Sequence, residues 1–180
     1  NNREKILVCA PSNIAVINLY QRALSMGING CLILSSNKKP DNLIINKDKI
    51  KENILFTTIS MRFGSLLNNY KFTHIIMDEA CQCQEAWTWG LLRKEVIKLI
   101  LAGDPHQLPA LVSDKGHQYN YDRCLMRRLM NLNYPTEFLD IQYRMHPNIV
   151  KFPNYKFYNN LLKTDYKYPE LDYKLNAFEI

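Results

Sequence analysis

Asp78 and Glu79 stand side by side at the end of an apolar run, FTHIIMDEAC, from Phe72 to Cys81. Two carboxylates at the tip of a hydrophobic strand are costly unless a cation or a substrate meets them. In nucleotide hydrolysis, Asp78 would hold Mg2+ through a water, because the ion keeps much of its hydration shell. Glu79 would orient and deprotonate the attacking water. A solvated acidic turn or a helix cap uses the same residue types.

A second group lies in LAGDPHQLPA, residues 101–110. Gly103 permits a tight backbone exit, and Asp104 and Pro105 shape a turn. The neutral amide of Gln107 both donates and accepts, so it can bridge a phosphate, a water and a neighbouring loop. A plain type I turn accounts for Asp104 and Pro105 but not for Gln107-Leu108-Pro109. In QYRMHP, residues 142–147, Arg144 can neutralise charge developing on a γ-phosphate, and Tyr143 can stack on a base. A surface arginine beside a half-buried tyrosine is the plainer reading of that hexamer. CAPSNIAV, residues 9–16, brings together Pro11, Ser12 and Asn13 with the N–H groups of a helix start. That combination suits a phosphodiester backbone. FTT, residues 56–58, adds the hydroxyls of Thr57 and Thr58. Helix capping is the competing role for both segments. Cys81 and Cys83 near His74 suggest zinc, but a structural site needs a second spaced pair, which Cys124 alone does not supply. They are read as ordinary thiols.

These residues need a frame. KILVCA (5–10), CLILS (31–35), NILFTT (53–58), FTHIIMD (72–78), VIKLILAG (96–103) and EFLDIQY (137–143) read as strands. The first is followed by a helix in which Val16, Leu19, Tyr20, Ala23 and Leu24 recur at helical spacing, and Gly27 ends it. A short helix is expected up to Asn69, others over 84–94 and near 121–132, and one opening at Pro147. Residues 36–53 are rich in Lys and Asn and read as a surface loop. Near-continuous apolar strands alternating with helices specify an α/β fold, a parallel sheet covered on both faces. In open sheets of this kind, ligands sit at the C-terminal ends of the strands. The chemistry-bearing residues recur there: PSN, TT, DE, GDPHQL, QYR. From Phe152, Tyr155, Phe157 and Tyr158, packing at the start of a second domain is expected, while Tyr166, Tyr168 and Tyr173 lie in a tail without a clear period.

The chain has 180 residues, 47% hydrophobic and 22% charged, which describes a globular protein with a real core. No apolar run approaches the roughly 20 residues of a membrane helix, and the N-terminus lacks a signal-peptide pattern. Five cysteines in no regular framework fit an intracellular, reducing compartment, nucleus or cytoplasm. A net charge of +6 suits an anionic partner.

Taken in order, the motifs resemble those of superfamily 1 helicases, and most closely the branch of senataxin and the nonsense-mediated mRNA decay helicase. ILVCAPSNIAV is similar to motif Ia of that family, FTTIS to the segment before motif II, and IIMDEACQCQE to motif II. LILAGDPHQLPA is similar to motif III, and LDIQYRMHPNIVKFPNYKFYNNLL to motif IV with the helix after it. The resemblance spans roughly residues 4 to 163. It implies a truncated RecA-like fold of the P-loop NTPase type, with a first domain over 1–138 and the start of a second over 139–180. It implies ATP and Mg2+ as cofactors, single-stranded RNA or DNA as substrate, and the remainder of a helicase polypeptide as partner, with no membrane. Asp78 would serve Mg2+ and Glu79 would activate water. Gln107 and Arg144 would touch the γ-phosphate, Tyr143 the adenine, and Pro11, Ser12, Asn13, Thr57 and Thr58 the single strand.

The sequence departs from the family pattern in several places. No G-x-x-x-x-G-K-[ST] loop occurs in the 180 residues, so the phosphate-cradling loop is expected before residue 1 and the isolated chain is expected to hydrolyse ATP poorly. The motifs that follow IV are absent. The stretch between PSN and DEAC is short, leaving no room for a large accessory insertion, and Ile17 stands where the family usually has Asp. An alternative is a RecA-like module that binds nucleic acid without hydrolysis. A metal-dependent nuclease using Asp78, Glu79 and Asp104 fits less well, because no lysine is placed beside them in a nuclease-like spacing.

Overall fold

The computed structural model describes residues 4–34 and 50–165. Most of the Lys- and Asn-rich stretch and the tyrosines at 166, 168 and 173 lie outside the described residues. The chain divides into two compact units, Asn1–Tyr134 and Pro135–Ile180.

The first unit is built on a parallel sheet of five strands: β1 (Ile6–Ala10), β2 (Cys31–Ile33), β3 (Ile54–Thr58), β4 (His74–Met77) and β5 (Lys98–Leu101). Their order is β2-β3-β1-β4-β5. Strand periodicity splits the core in two. Leu7 and Cys9 of β1, Leu55 of β3 and Ile75 and Met77 of β4 pack with Ile59, Leu67, Phe72 and Leu91 on one face. Val8, Ala10, Leu32 and Phe56 pack with Val16, Leu19 and Tyr20 on the other. Both sides of the inner strands are therefore apolar, as a sheet covered on two faces requires.

Helix α1 (Asn13–Ser25) covers one face. Ser12 caps it by accepting the Ala15 N–H at 3.2 Å. It ends at Gly27, whose φ of 77° lets the Ile28 N–H reach the Ala23 carbonyl at 2.9 Å and the Gly27 N–H reach that of Leu24 at 2.9 Å. The other face carries α2 (Ile59–Arg62), a 3-10 turn (Ala80–Gln82) and α3 (Glu85–Leu91). Two further helices follow β5: α4 (Asp114–Gln118) and α5 (Leu125–Asn131). The sequence shows no helical period at α4. Its start is marked by the Ser113 hydroxyl, which accepts the Gly116 N–H at 3.3 Å.

In the second unit, β6 (Ile141–Gln142) and β7 (Lys163–Thr164) pair in parallel around α6 (Pro147–Phe157). The expected strand over 137–143 is thus reduced to two residues in a separate sheet. Helix α6 continues past Pro153, although that residue has no N–H for the carbonyl four residues back. Asn154 secures the far end, donating to the Leu162 carbonyl and accepting the Leu162 N–H, both at 2.9 Å. Phe152 and Tyr155 correct the packing expectation, since they lie 69% and 72% exposed.

Candidate functional site

The register brings the strand tips level. Ala10 lies opposite Thr58, Cys9 opposite Met77, and Met77 opposite Leu101. Pro11-Ser12-Asn13, Asp78-Glu79 and the loop carrying Gln107 all leave the sheet from this one edge. Backbone bonds carry the convergence past the strands. The Asp78 N–H donates to the Cys9 carbonyl at 2.9 Å, the Ala102 N–H to that of Met77 at 2.8 Å, and the Ala80 N–H to that of Ala102 at 2.9 Å. Gly103 suits this closeness, because a Cβ there would make tight contacts, 3.0 Å from the Ala80 nitrogen and 3.2 Å from that of Cys81.

Asp78 is half-buried, and among the described residues its carboxylate has no hydrogen-bond or ion-pair partner. Glu79 sits in the left-handed region at φ 51°, ψ 40°, a conformation that costs a non-glycine residue about 1–2 kcal/mol. The twist turns its side chain out of the strand line, where Gln82 Nε2 donates to Glu79 Oε2 at 2.9 Å. Gln107 is exposed on a turn organised by Asp104: the His106 N–H donates to Oδ1 at 2.9 Å and Gln107 Nε2 to Oδ2 at 3.1 Å. No three His, Cys, Asp or Glu side chains among the described residues converge as a complete metal set. One free, half-buried carboxylate does fit a hard divalent ion that takes its remaining ligands from phosphate oxygens and water.

The residues expected along a nucleic acid strand divide. Ser12 is exposed and Asn13 half-buried at the start of α1. Thr57 is fully buried and donates its hydroxyl to the Ile33 carbonyl at 2.7 Å. It ties β3 to β2 and offers nothing to a ligand. Thr58 is 4% exposed and caps α2, accepting the Met61 N–H at 3.3 Å beside the Ser60 hydroxyl at 3.1 Å. The polar group that reaches solvent from this turn is Ser60. It lines an open groove of about 380 Å3 with Pro11, Gln82, Trp87 and Leu111. Trp87 is 42% exposed, its ring set edge-on to Phe63 with centroids 5.4 Å apart.

Tyr143 and Arg144 belong to the second unit, where both are exposed. Gln142 shapes their loop: its Oε1 accepts the N–H groups of Arg144 at 2.9 Å and Met145 at 2.7 Å, and its Nε2 donates to the Met145 carbonyl at 2.7 Å.

Residues 45–115 match one AAA domain family and residues 121–179 a second. The chain is 31% identical to the probable helicase MAGATAMA 3 of Arabidopsis thaliana, over 89% of this chain and 25% of that protein. It is 33% identical to the probable helicase senataxin of Mus musculus, over 85% of this chain and 6% of that protein. An uncharacterized ATP-dependent helicase of Methanocaldococcus jannaschii is 37% identical, over 72% of this chain and 21% of that protein. The chain belongs to the senataxin-like branch of the superfamily 1 helicases. It spans a quarter or less of the length of these relatives.

Within this senataxin-like chain, sequence reasoning missed Gln82, Ser60 and Trp87 beside the candidate positions of the first unit and Gln142 beside those of the second. Gln82 had a signal, since it follows Glu79 by one helical step. Gln142 stands in the QYR run, but its bonds to Arg144 and Met145 follow from the loop's fold and not from spacing. Ser60 and Trp87 had none, because each reaches the groove through the way α2 and α3 pack. Among the described residues no helix is long and apolar enough to cross a membrane.

Proposed function

We propose that this chain is part of an ATP-dependent helicase that couples ATP hydrolysis to movement along single-stranded RNA or DNA. The observation that carries this reading is the shared edge of the sheet, from which the Asp78-Glu79 pair, the Gln107 turn and the Ser12-Asn13 helix start all emerge. Asp78 is the carboxylate that would hold Mg2+ through a water, and the bound ion would supply charge neutralisation for the phosphates. Glu79, turned out of the strand and steadied by Gln82, would accept a proton from the attacking water. Gln107 would sense the γ-phosphate through an amide already oriented by Asp104. In the second unit, the exposed Arg144 would place its charge against a γ-phosphate and Tyr143 would lie on a base.

Pro11, Ser12, Asn13 and the Thr58-Ser60 turn would lie along the nucleic acid backbone, with Thr57 serving the sheet instead. The excess of basic residues supports a polyanionic partner. Residues 1–138 and 139–180 would form parts of two RecA-like domains, the remainder of the polypeptide completing the motor. Free cysteines at all five positions fit action in the nucleus or cytoplasm. The test is unwinding by the whole protein. Arg144→Ala is expected to abolish strand separation while ATP binding is largely kept, and unchanged unwinding removes Arg144 from the site.

A further inference from the structure

The groove beside the strand tips has a surface that phosphate contacts do not explain. It opens over about 380 Å3 between the turns that follow β1 and β3 and the start of α3. Pro11, Trp87 and Leu111 give it apolar surface, and Ser60, Gln82 and Gln84 add one hydroxyl and two amides. Among the described residues, no charged side chain lines it.

Trp87 stands braced at this groove instead of being packed into the core. Its ring meets that of Phe63 edge-on, 5.4 Å between centroids, and it stays 42% exposed. Gly90, one helical step further along α3, makes room for the brace: a Cβ there would lie 2.8 Å from the Phe63 ring. The nearby Trp89 is occupied, its Nε1 donating to Glu85 Oε1 at 2.9 Å with the Arg128 guanidinium 6.0 Å from its ring centre. The Trp87 indole has no hydrogen-bond partner among the described residues. A large flat side chain already held in place costs little entropy when a ligand meets it.

The lining chemistry selects the occupant. A phosphate is met by positive charge or by helix N–H groups, and the Ser12-Asn13 helix start, which Pro11 joins to the groove, offers the latter. The groove itself is neutral, aromatic and fringed with donors and acceptors. A nucleobase matches it, with a π face for the indole and a polar edge for the amides and the hydroxyl. An apolar peptide would cover the same ring but leave Ser60, Gln82 and Gln84 without partners, at a cost.

We propose that this groove is a nucleobase subsite, in which one base of the single strand stacks on the indole of Trp87 while its sugar-phosphate passes the start of α1. The subsite rests on the nucleic-acid reading above and deepens it: sequence-tolerant backbone contacts are joined by a stacking contact that every base can make.

Binding by the whole protein is measured with an oligouridylate, an oligothymidylate and the base-free counterpart of each. Trp87→Ala is expected to weaken binding of the base-bearing strands by about 5–150-fold and to leave the base-free strands unaffected. Trp87→Phe retains most of the affinity. The salt dependence stays the same in both variants, because no phosphate contact is removed. Acrylamide quenching of Trp87, read as the difference between the unaltered protein and Trp87→Phe, falls when a base-bearing strand binds. Equal loss on base-bearing and base-free strands, or no loss on either, overturns the subsite. So does a Trp87 already shielded from acrylamide in the free protein, which would mean that another segment of the polypeptide covers it. If the unaltered protein binds neither kind of strand, the nucleic-acid reading itself falls, and the subsite with it.

Discussion

Glu79 shows most plainly what a single residue contributes. Its left-handed backbone is unfavourable for a side chain bearing a Cβ, yet the position carries the carboxylate steered by Gln82. Glycine adopts that conformation without the steric cost. Glu79→Gly is therefore expected to be more stable than Glu79→Ala by roughly 1 kcal/mol in urea unfolding, and a more stable alanine variant would show the strain to be absent. Arg62 is the opposite case, a charged residue with a structural task. It is 2% exposed, lies over the Phe72 ring at 5.1 Å, and donates to the carbonyls of Leu67 at 2.7 Å and Tyr70 at 3.1 Å. Burial, then the charge of Arg93, lowers its pKa. Arg62→Met leaves those two carbonyls without their donor, for an expected loss of about 2–3 kcal/mol; denaturant midpoints measure it. Asp78, Glu79, Gln107 and Ser12 were legible because local sequence marks the end of a strand. The role of Thr57 was not, since its hydroxyl is claimed by a strand more than twenty residues away in the chain.

Among elements, the strands of the first sheet were readable from near-continuous apolar runs, and α1 from its period and its Ser12 and Gly27 ends. The small elements were not. A strand of two residues, such as β6, has no period to detect, and α4 depends on a serine cap rather than on an apolar face. Helix α3 illustrates how an element reaches both core and surface. Leu91 is 1% exposed against Met77 and Ile75, while Trp87 on the same helix opens into the groove. Leu91→Ala is expected to cost about 2–5 kcal/mol, with Trp87→Ala much milder. Thermal unfolding of the two variants compares them, and equal losses would mean that α3 is not anchored at its C-terminal end.

For the whole molecule, two compact units carry the motifs of a family whose relatives are far longer than this chain. Binding of single-stranded nucleic acid by the whole protein should tolerate sequence and weaken with salt, log affinity falling by about 0.7 per phosphate neutralised for each unit of log salt. A salt-independent affinity would remove the backbone-contact reading. The 180-residue chain alone, with no Gly-Lys-Thr or Gly-Lys-Ser loop in its sequence, is expected to turn over ATP no faster than its own Glu79→Gln variant. The central claim is that the tips of adjacent strands serve one triphosphate. Steady-state ATP turnover of the whole protein bearing Glu79→Gln, measured beside equilibrium ATP binding, tests it most directly. Turnover should fall by about 10²–10⁴-fold with binding retained, and turnover equal to that of the unaltered protein would contradict the account.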